Sequence, residues 1–330
     1  MNNKILVTGS EGFIGSHLVE KLVREGFNVK ALVYYNSFSS WGWLDTLEDK
    51  IKNNIEVVLG DIRSNDSVDK ALKDCNKVAH LASLIAIPYS YETPKSYVDT
   101  NISGTLNILQ SSLKNEIETV VHTSTSEVYG SAQKIPITEE HPLVGQSPYS
   151  ATKIAADQLA QSFFTSFNLP LITIRPFNTY GPRQSARAFI PTIIMQILEG
   201  NKEISLGSTA PSRDLTFISD TINGFLAALD ANCFGETINL GTGKDFSVGE
   251  VFDVISSIMK VKVDIKTDSK RIRPKNSEVQ RLLASNDKAK RLLNWKPEFV
   301  DDAGLKKGLS LTIDWLSENK QFYKSYIYNV

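Results

Sequence analysis

The stretch Thr8-Gly9-Ser10-Glu11-Gly12-Phe13-Ile14-Gly15 decides how this chain folds. It follows a short apolar β-type run, Lys4–Thr8, and leads into Ile14–Glu25, whose apolar residues recur at helical spacing. A strand that turns directly into a helix leaves little room for side chains. The turn is tight, the backbone must come close to a pyrophosphate, and the helix must pack on its strand, so glycine is required. The helix N-terminus then faces the phosphates with its free N–H groups. Gly9, Gly12 and Gly15, with Phe13 and Ile14 between them, are the expected cradle of a dinucleotide.

Outward from this turn the same rhythm recurs. Ile55–Leu59, Lys77–Leu81, Thr119–Thr123 and Leu171–Arg175 read as strands separated by helical segments. Alternating strands and helices predict an α/β fold, a doubly wound parallel Rossmann sheet covered on both faces. The rhythm breaks in the Pro/Gly-punctuated stretch from Pro176 to Arg213, around the apolar segment Ala188–Leu198. Strand patterns return at Leu215–Ile218 and Thr237–Leu240, flanking a helix over Asp220–Leu229, so the chain is expected to re-enter the sheet before a smaller lobe. With 330 residues there is room for two interleaved units. Residues 1–176 and 214–243 are assigned to the dinucleotide domain, and 177–213 and 244–330 to a C-terminal substrate lobe.

Composition excludes several functions. Lys plus Arg number 36 against 37 Asp plus Glu, so no broad positive field is available for nucleic acid. Cys75 and Cys233 match no metal or CxxC spacing and read as reduced core thiols. His17, His122 and His141 fit no ligand or triad spacing, and no metal site is expected. Met1-Asn2-Asn3-Lys4 runs straight into the first strand without an apolar signal region, and no apolar run approaches the roughly 18 residues that span a bilayer. The expectation is a cytoplasmic protein with no membrane partner.

The second strand normally closes on an acid that holds the ribose 2′-hydroxyl of NAD. Here it closes on Leu32-Val33-Tyr34-Tyr35-Asn36-Ser37, which has none. A carboxylate would repel the extra phosphate of NADP, so its absence leaves NAD and NADP both open and tilts the expectation toward NADP. Tyr34, Tyr35, Asn36 and Ser37 are the candidate contacts. Asp61 and Ile62 after the third strand, and Leu81, Ala82 and Ser83 after the fourth, are placed to line the adenine and the nicotinamide ribose. His80 reads equally as a neighbour of that ribose or as packing.

Tyr149-Ser150-Ala151-Thr152-Lys153 sets Tyr149 and Lys153 one helical turn apart on one face. A tyrosine that titrates near pH ~10 must drop by about three units, roughly 4 kcal/mol, to act as a base near neutrality. A nearby ammonium and a positive nicotinamide ring can supply that difference. Ser124 and Thr125, after a strand, complete the candidate site.

Taken together, TGSEGFIG, AHLAS, NISGTLNIL, STSEVYG, PYSATK, RPFNTYGP and RDLTFISD resemble the extended short-chain dehydrogenase/reductase family of nucleotide-sugar enzymes over nearly the whole chain. The resemblance implies an interrupted Rossmann domain, a nucleotide-activated hexose as substrate, and a homodimer joined through helices beginning near Asn101 and Tyr149. Within that family Thr125-Ser126-Glu127 resembles the 4,6-dehydratases, where a carboxylate removes the C5 proton after C4 is oxidised. Ser126 stands where dTDP-glucose dehydratases carry aspartate, and a serine is a poor acid, so Glu127 is also the expected donor to the departing hydroxyl. Family 4-epimerases are typically not acidic at Glu127. UDP-glucuronate decarboxylases share TSEVYG but carry an arginine before the catalytic tyrosine, whereas this chain has Gln146-Ser147-Pro148. The dehydratase is therefore the favoured reading, with decarboxylase or epimerase as alternatives and a non-catalytic dinucleotide-binding regulator as the third.

For substrate, Arg183 in GPRQ, Arg213 in RDLTF and Arg273 in RPKNSE match the family's phosphate-binding segments, Asn178 matches a phosphate donor, and Arg187 can serve a substrate carboxylate. No motif encodes the base. SFSSWGWLD and RPKNSEVQRLL resemble the dehydratases of bacterial legionaminic acid synthesis, which implies GDP-N-acetylglucosamine. Trp41 and Trp43 in that loop read either as packing or as an apolar wall of the site.

Overall fold

The computed structural model describes residues 4–324. Met1-Asn2-Asn3, part of the expected leaderless start, lies outside them. Thirteen strands are found among the described residues: β1 (Lys4–Thr8), β2 (Asn28–Tyr34), β3 (Ile55–Gly60), β4 (Lys77–His80), β5 (Thr119–Thr123), β6 (Leu171–Pro176), β7 (Asn178–Tyr180), β8 (Glu203–Leu206), β9 (Ser212–Phe217), β10 (Thr237–Leu240), β11 (Asp245–Ser247), β12 (Asp264–Thr267) and β13 (Arg281–Leu282). Seven of them form one parallel sheet in the order β10-β6-β5-β4-β1-β2-β3.

Burial on both faces explains the apolar strands. Successive residues of a strand point to opposite sides. Ile5 and Val7 enter one core with Leu18 and Leu22 of the helix Phe13–Arg24 and with Ile222 and Phe225 of Ile218–Asp230. Leu6 enters the other with Leu72 of Asn65–Leu72, Ile108 of Gly104–Lys114 and Ala160 of Pro148–Phe167. The sheet order reverses at β1, whose neighbours are β2 and β4. Such a switch opens a crevice beyond the carboxyl ends of the strands.

After β6 the chain leaves this sheet. Of the two strands expected to return, only β10 does so, beside β6 with Thr237 opposite Thr173. The segment expected at Leu215–Ile218 is β9 and lies elsewhere, paired with β7, β11 and β13. β9 mixes apolar residues, Leu215 and Phe217, that enter the core with polar ones that have other tasks. Arg213 lines the large cleft, while its neighbour Asp214 turns inward and accepts from Thr242 N (2.8 Å), Thr242 Oγ1 (2.7 Å), Gly243 N (2.9 Å) and Ala284 N (3.2 Å). Burial pushes the Asp214 carboxyl up to about 6 despite these donors. Asp220, in the helix that follows β9, acts similarly, holding Glu298 N (3.0 Å) and Phe299 N (2.9 Å). No helix among the described residues is long and apolar enough to cross a membrane.

Asp214→Ala would remove at once the acceptor of three backbone N–H groups, one of them the buried Ala284 amide, and of the Thr242 hydroxyl. It is expected to cost roughly 3 kcal/mol or more of folding free energy, read from the midpoint of denaturant unfolding.

Candidate active site

A cleft of about 1010 Å³ lies beyond the carboxyl ends of the sheet, between it and the segments carrying Arg213 and Arg273. Gly9, Gly12, Phe13, Ile14 and Gly15 line one end. Gly9 has φ +66°, and a Cβ there would come within 2.8 Å of Ala82 N. A Cβ on Gly15 would sit 2.1 Å from Gly9 O. At Gly12 the protein itself presents only Gly9 O, at 3.3 Å, so its demand for glycine comes from the cleft side. A side-chain-free turn opening onto a helix N-terminus fits a dinucleotide pyrophosphate.

Thr8 fastens this turn to the end of β4. Its Oγ1 accepts from Leu81 N (3.1 Å) and Ala82 N (3.0 Å) and contacts His80 Nδ1 at 2.9 Å. With both acceptor positions used, the hydroxyl donates to His80, and the imidazole Nε2 is left to donate to Thr105 Oγ1 at 3.1 Å. Burial holds the His80 pKa far below its usual value, so the ring is neutral and serves packing, not ribose contact. Leu81, Ala82 and Ser83 line the cleft as expected, as do Asp61 and Ile62.

At the end of β2 the expected contacts separate. Tyr34 lines the cleft, but Asn36 and Ser37 do not. The Asn36 amide is spent on its own loop, donating to Ser40 O (2.8 Å) and accepting from Phe38 N (3.1 Å) and Ser40 N (3.2 Å). In their place stands Glu11, from inside the glycine turn. Its Oε1 accepts from Tyr34 N at 3.0 Å, its Oε2 is buried without a partner, and burial raises its pKa. The loop Gly42–Thr46 presses on it, with Trp43 N donating to Glu11 O at 3.0 Å. The question over the tryptophans resolves toward packing: Trp43 meets Trp315 (5.4 Å), Phe322 (5.7 Å) and Tyr323 (5.8 Å), and Trp41 packs on the core.

Midway along the cleft lie Thr125, Ser126, Glu127 and Tyr149. The Tyr149 hydroxyl lies beside Thr125, whose Oγ1 caps the short turn Ser126–Tyr129 by accepting from Glu127 N at 3.2 Å. Burial, helped by the Glu127 charge, pushes the Tyr149 phenol above its usual range, against the lowering effect of Thr125. In the protein alone the phenol is therefore protonated, and the ammonium does not by itself overcome burial. Lys153 sits beneath the cleft wall, donating to Thr123 O at 2.6 Å, and burial brings it down to about 8.

Below them is a polar core that the sequence did not announce. Asp157, one turn past Lys153, takes Ser124 Oγ (2.7 Å), His122 Nε2 (3.1 Å) and Arg175 Nη2 (2.9 Å). Arg175 Nη1 donates to the Tyr129 hydroxyl at 2.9 Å, which donates to Asn239 Oδ1 at 2.7 Å. The network fixes both ends of the Ser124–Tyr129 segment.

The far end is cationic. Arg213 and Arg273 converge on Glu278 Oε1, at 3.3 and 3.6 Å, and all three line the cleft with Arg187 and Asn178. Asn178 Oδ1 and Arg273 Nη1 have no hydrogen-bond partner. Glu127 is close enough to Arg213 for its charge to favour the guanidinium. Arg183 is not brought to the cleft. Its side chain reaches Glu20 Oε2 at 2.6 Å, tying its loop to the helix Phe13–Arg24. Cys75 and Cys233 are free, and His17 and His141 bond to the backbone at Pro182 and Pro142. No cluster among the described residues suits a metal ion.

A family model described as GDP-mannose 4,6 dehydratase matches residues 6–307. A curated relative, a putative UDP-glucose 4-epimerase of Methanocaldococcus jannaschii, is 33% identical over 96% of this chain and 99% of its own. Among solved structures, a UDP-glucuronic acid 4-epimerase mutant from Bacillus cereus, in complex with NAD and a fluorinated UDP-sugar, superposes with a TM-score of 0.86 at 28% identity, covering 97% of this chain and 100% of that one. A dTDP-glucose 4,6-dehydratase from Streptomyces venezuelae, with NAD bound, gives 0.84 at 27% identity over 97% and 99%. These neighbours hold NAD and lend no support to the NADP preference expected from the missing acid at β2.

Asp157→Ala would leave the Arg175 guanidinium buried and unpaired. A loss of about 3–5 kcal/mol in unfolding free energy is expected, with Lys153 and Tyr149 untouched in sequence.

Proposed function

Since the chain belongs to the GDP-mannose 4,6-dehydratase family of NAD-dependent nucleotide-sugar enzymes, we propose that it is a nucleotide-sugar 4,6-dehydratase forming a 4-keto-6-deoxy hexose. The observation that carries this reading is Glu127, a carboxylate lining the cleft beside the Tyr149–Thr125 pair. A simple exchange of configuration at C4 needs no such group; elimination across C5 and C6 does.

Gly9, Gly12 and Gly15 would hold NAD, which would supply the hydride acceptor for C4 oxidation and the hydride donor for C6. Tyr149 accepts the C4 hydroxyl proton, with Thr125 beside the phenolic oxygen. The ketone acidifies the C5 hydrogen, and Glu127 removes it. Glu127 then carries the proton needed by the C6 hydroxyl as it leaves as water, a task for which Ser126 is too weak an acid. Once C6 has its hydride, C5 takes up a proton from solvent as Tyr149 releases the one it accepted, so that the sum is loss of one water. Lys153, charged below about pH 8, places positive charge under this region of the cleft. Arg213 and Arg273, held in register by Glu278, and Asn178 are assigned the sugar-nucleotide diphosphate, with Arg187 nearby. Residues 1–176 and 214–243, apart from β9 in its separate sheet, are proposed to serve the dinucleotide, and 177–213 and 244–330 the nucleotide sugar. GDP-N-acetylglucosamine, as in legionaminic acid synthesis, is the proposed substrate on the strength of the SFSSWGWLD and RPKNSEVQRLL stretches. The chain is proposed to pair as a homodimer through Gly104–Lys114 and Pro148–Phe167, which leave Leu113 and Phe167 exposed.

A 4-epimerase is the second reading, favoured by the name of the Methanocaldococcus relative. Incubating the protein with GDP-, UDP- and dTDP-hexoses and following mass separates them. Loss of one water supports the dehydratase, and unchanged mass with altered configuration the epimerase. Loss of CO2 from UDP-glucuronate would mean a decarboxylase, and no turnover a regulator.

Tyr149→Phe is expected to lower turnover roughly a hundredfold or more while melting as the parent does. Glu127→Gln should lose water elimination to a similar extent, and with it solvent deuterium exchange at C5. Retained C5 exchange in that variant would remove Glu127 from its role.

A further inference from the structure

Dinucleotide enzymes of this architecture hold the adenosine ribose with an acid at the end of the second strand, and here that strand ends on Tyr34. The carboxylate arrives from another direction. Glu11 lies in the glycine turn itself, yet its side chain reaches the last residue of β2 and takes the Tyr34 amide at 3.0 Å. This bond uses one lone pair of Oε1, and Oε2 has no partner, so the group has more acceptor capacity than the protein satisfies. It is also held firmly. Trp43 N donates to Glu11 O at 3.0 Å, and Gly42, with φ +58°, lies so near that a Cβ would come within 2.7 Å of the same oxygen. Trp43 in turn is wedged among Trp315, Phe322 and Tyr323.

The charge around it favours a hydroxyl over a phosphate. At this end of the cleft the charged lining residues are Glu11, Asp61 and Arg63. Arg63 is engaged by Asp61, with Nε at 2.9 Å and Nη2 at 2.6 Å from Oδ2, and also donates to the Tyr34 hydroxyl at 3.1 Å. That pair neutralises itself and leaves Glu11 as the uncompensated charge. A 2′-phosphate placed here would meet a carboxylate; a ribose hydroxyl would find an acceptor.

We propose that Glu11 is the specificity-determining residue for the dinucleotide, accepting from the adenosine ribose hydroxyls and excluding NADP, with the Trp43 loop as the brace that positions it. The proposal rests on the dinucleotide reading of the cleft. Calorimetric titration of the protein with NAD+, NADP+ and NAD+ lacking the adenosine 2′-hydroxyl tests it without turnover. The parent should bind NAD+ and refuse NADP+, and should bind the 2′-deoxy analogue roughly tenfold to a hundredfold more weakly than NAD+, the worth of a hydrogen bond to a charged group. Glu11→Gln, which keeps the shape, should bring NAD+ and the analogue close together and narrow the gap to NADP+. Equal affinity of the parent for NAD+ and NADP+, or for NAD+ and the analogue, overturns the assignment, as does an unchanged NAD+/NADP+ ratio in Glu11→Gln. If the parent binds neither dinucleotide, the reading of the cleft itself falls, and Glu11 with it. Because the analogue is compared on the unaltered protein, the result does not depend on the variant folding.

Discussion

Two parallel strands fastened at their carboxyl ends govern the rest of this molecule. Thr8 Oγ1 takes the amides of Leu81 and Ala82, and Gly9 passes those same residues at a distance that admits no Cβ. Because β1 and β4 meet at the point where strand order reverses, this contact sets the floor of the crevice. His80 is drawn into the same knot, neutral and bonded on both nitrogens, which is why a histidine next to the cleft-lining Leu81 does not itself face the cleft.

Chemistry in the cleft depends on a second, buried constraint. Asp157, Arg175, His122 and Ser124 form a polar core under the Ser124–Tyr129 turn, and burial without pairing would make each of them costly. Paired, they leave the turn one position, and with it Thr125 against Tyr149 and Glu127 facing the cleft. Tyr149 then presents a contradiction that the sequence pattern hides. Burial alone keeps it protonated more firmly than free tyrosine, so forming its phenolate requires positive charge gathered when the site is filled.

The substrate end shows how alternation along a single strand divides labour. Arg213 and Asp214 are adjacent in β9, and the pleat sends one to the cleft and the other into the junction with Thr242, Gly243 and Ala284. A motif such as RDLTF therefore carries a cleft-lining residue and an anchoring residue side by side. Glu278 was not foreseen, since an isolated glutamate has no pattern; its meaning comes from two arginines separated by 60 positions meeting on one oxygen.

The glycine turn, the strand and helix periods and the Tyr149/Lys153 spacing were legible because each is a local pattern whose physical reason lies within a few residues. They determined the parallel sheet and the glycine-lined end of the cleft; the order of the strands came only from the structure. Where β9 goes was not legible, because an apolar strand pattern does not say which sheet it joins. Arg183 and Asn36 looked like ligands from their neighbours in sequence, yet Glu20 and the loop around Ser40 claim their polar atoms. The acid missing from the end of β2 is the clearest case: the chain supplies a carboxylate at that place from Glu11, 23 residues earlier than Tyr34, through a fold that returns the strand beside its own glycine turn. Sequence fixes which groups exist and their local geometry; only the closing of the chain decides which of them still has a free lone pair facing the cleft.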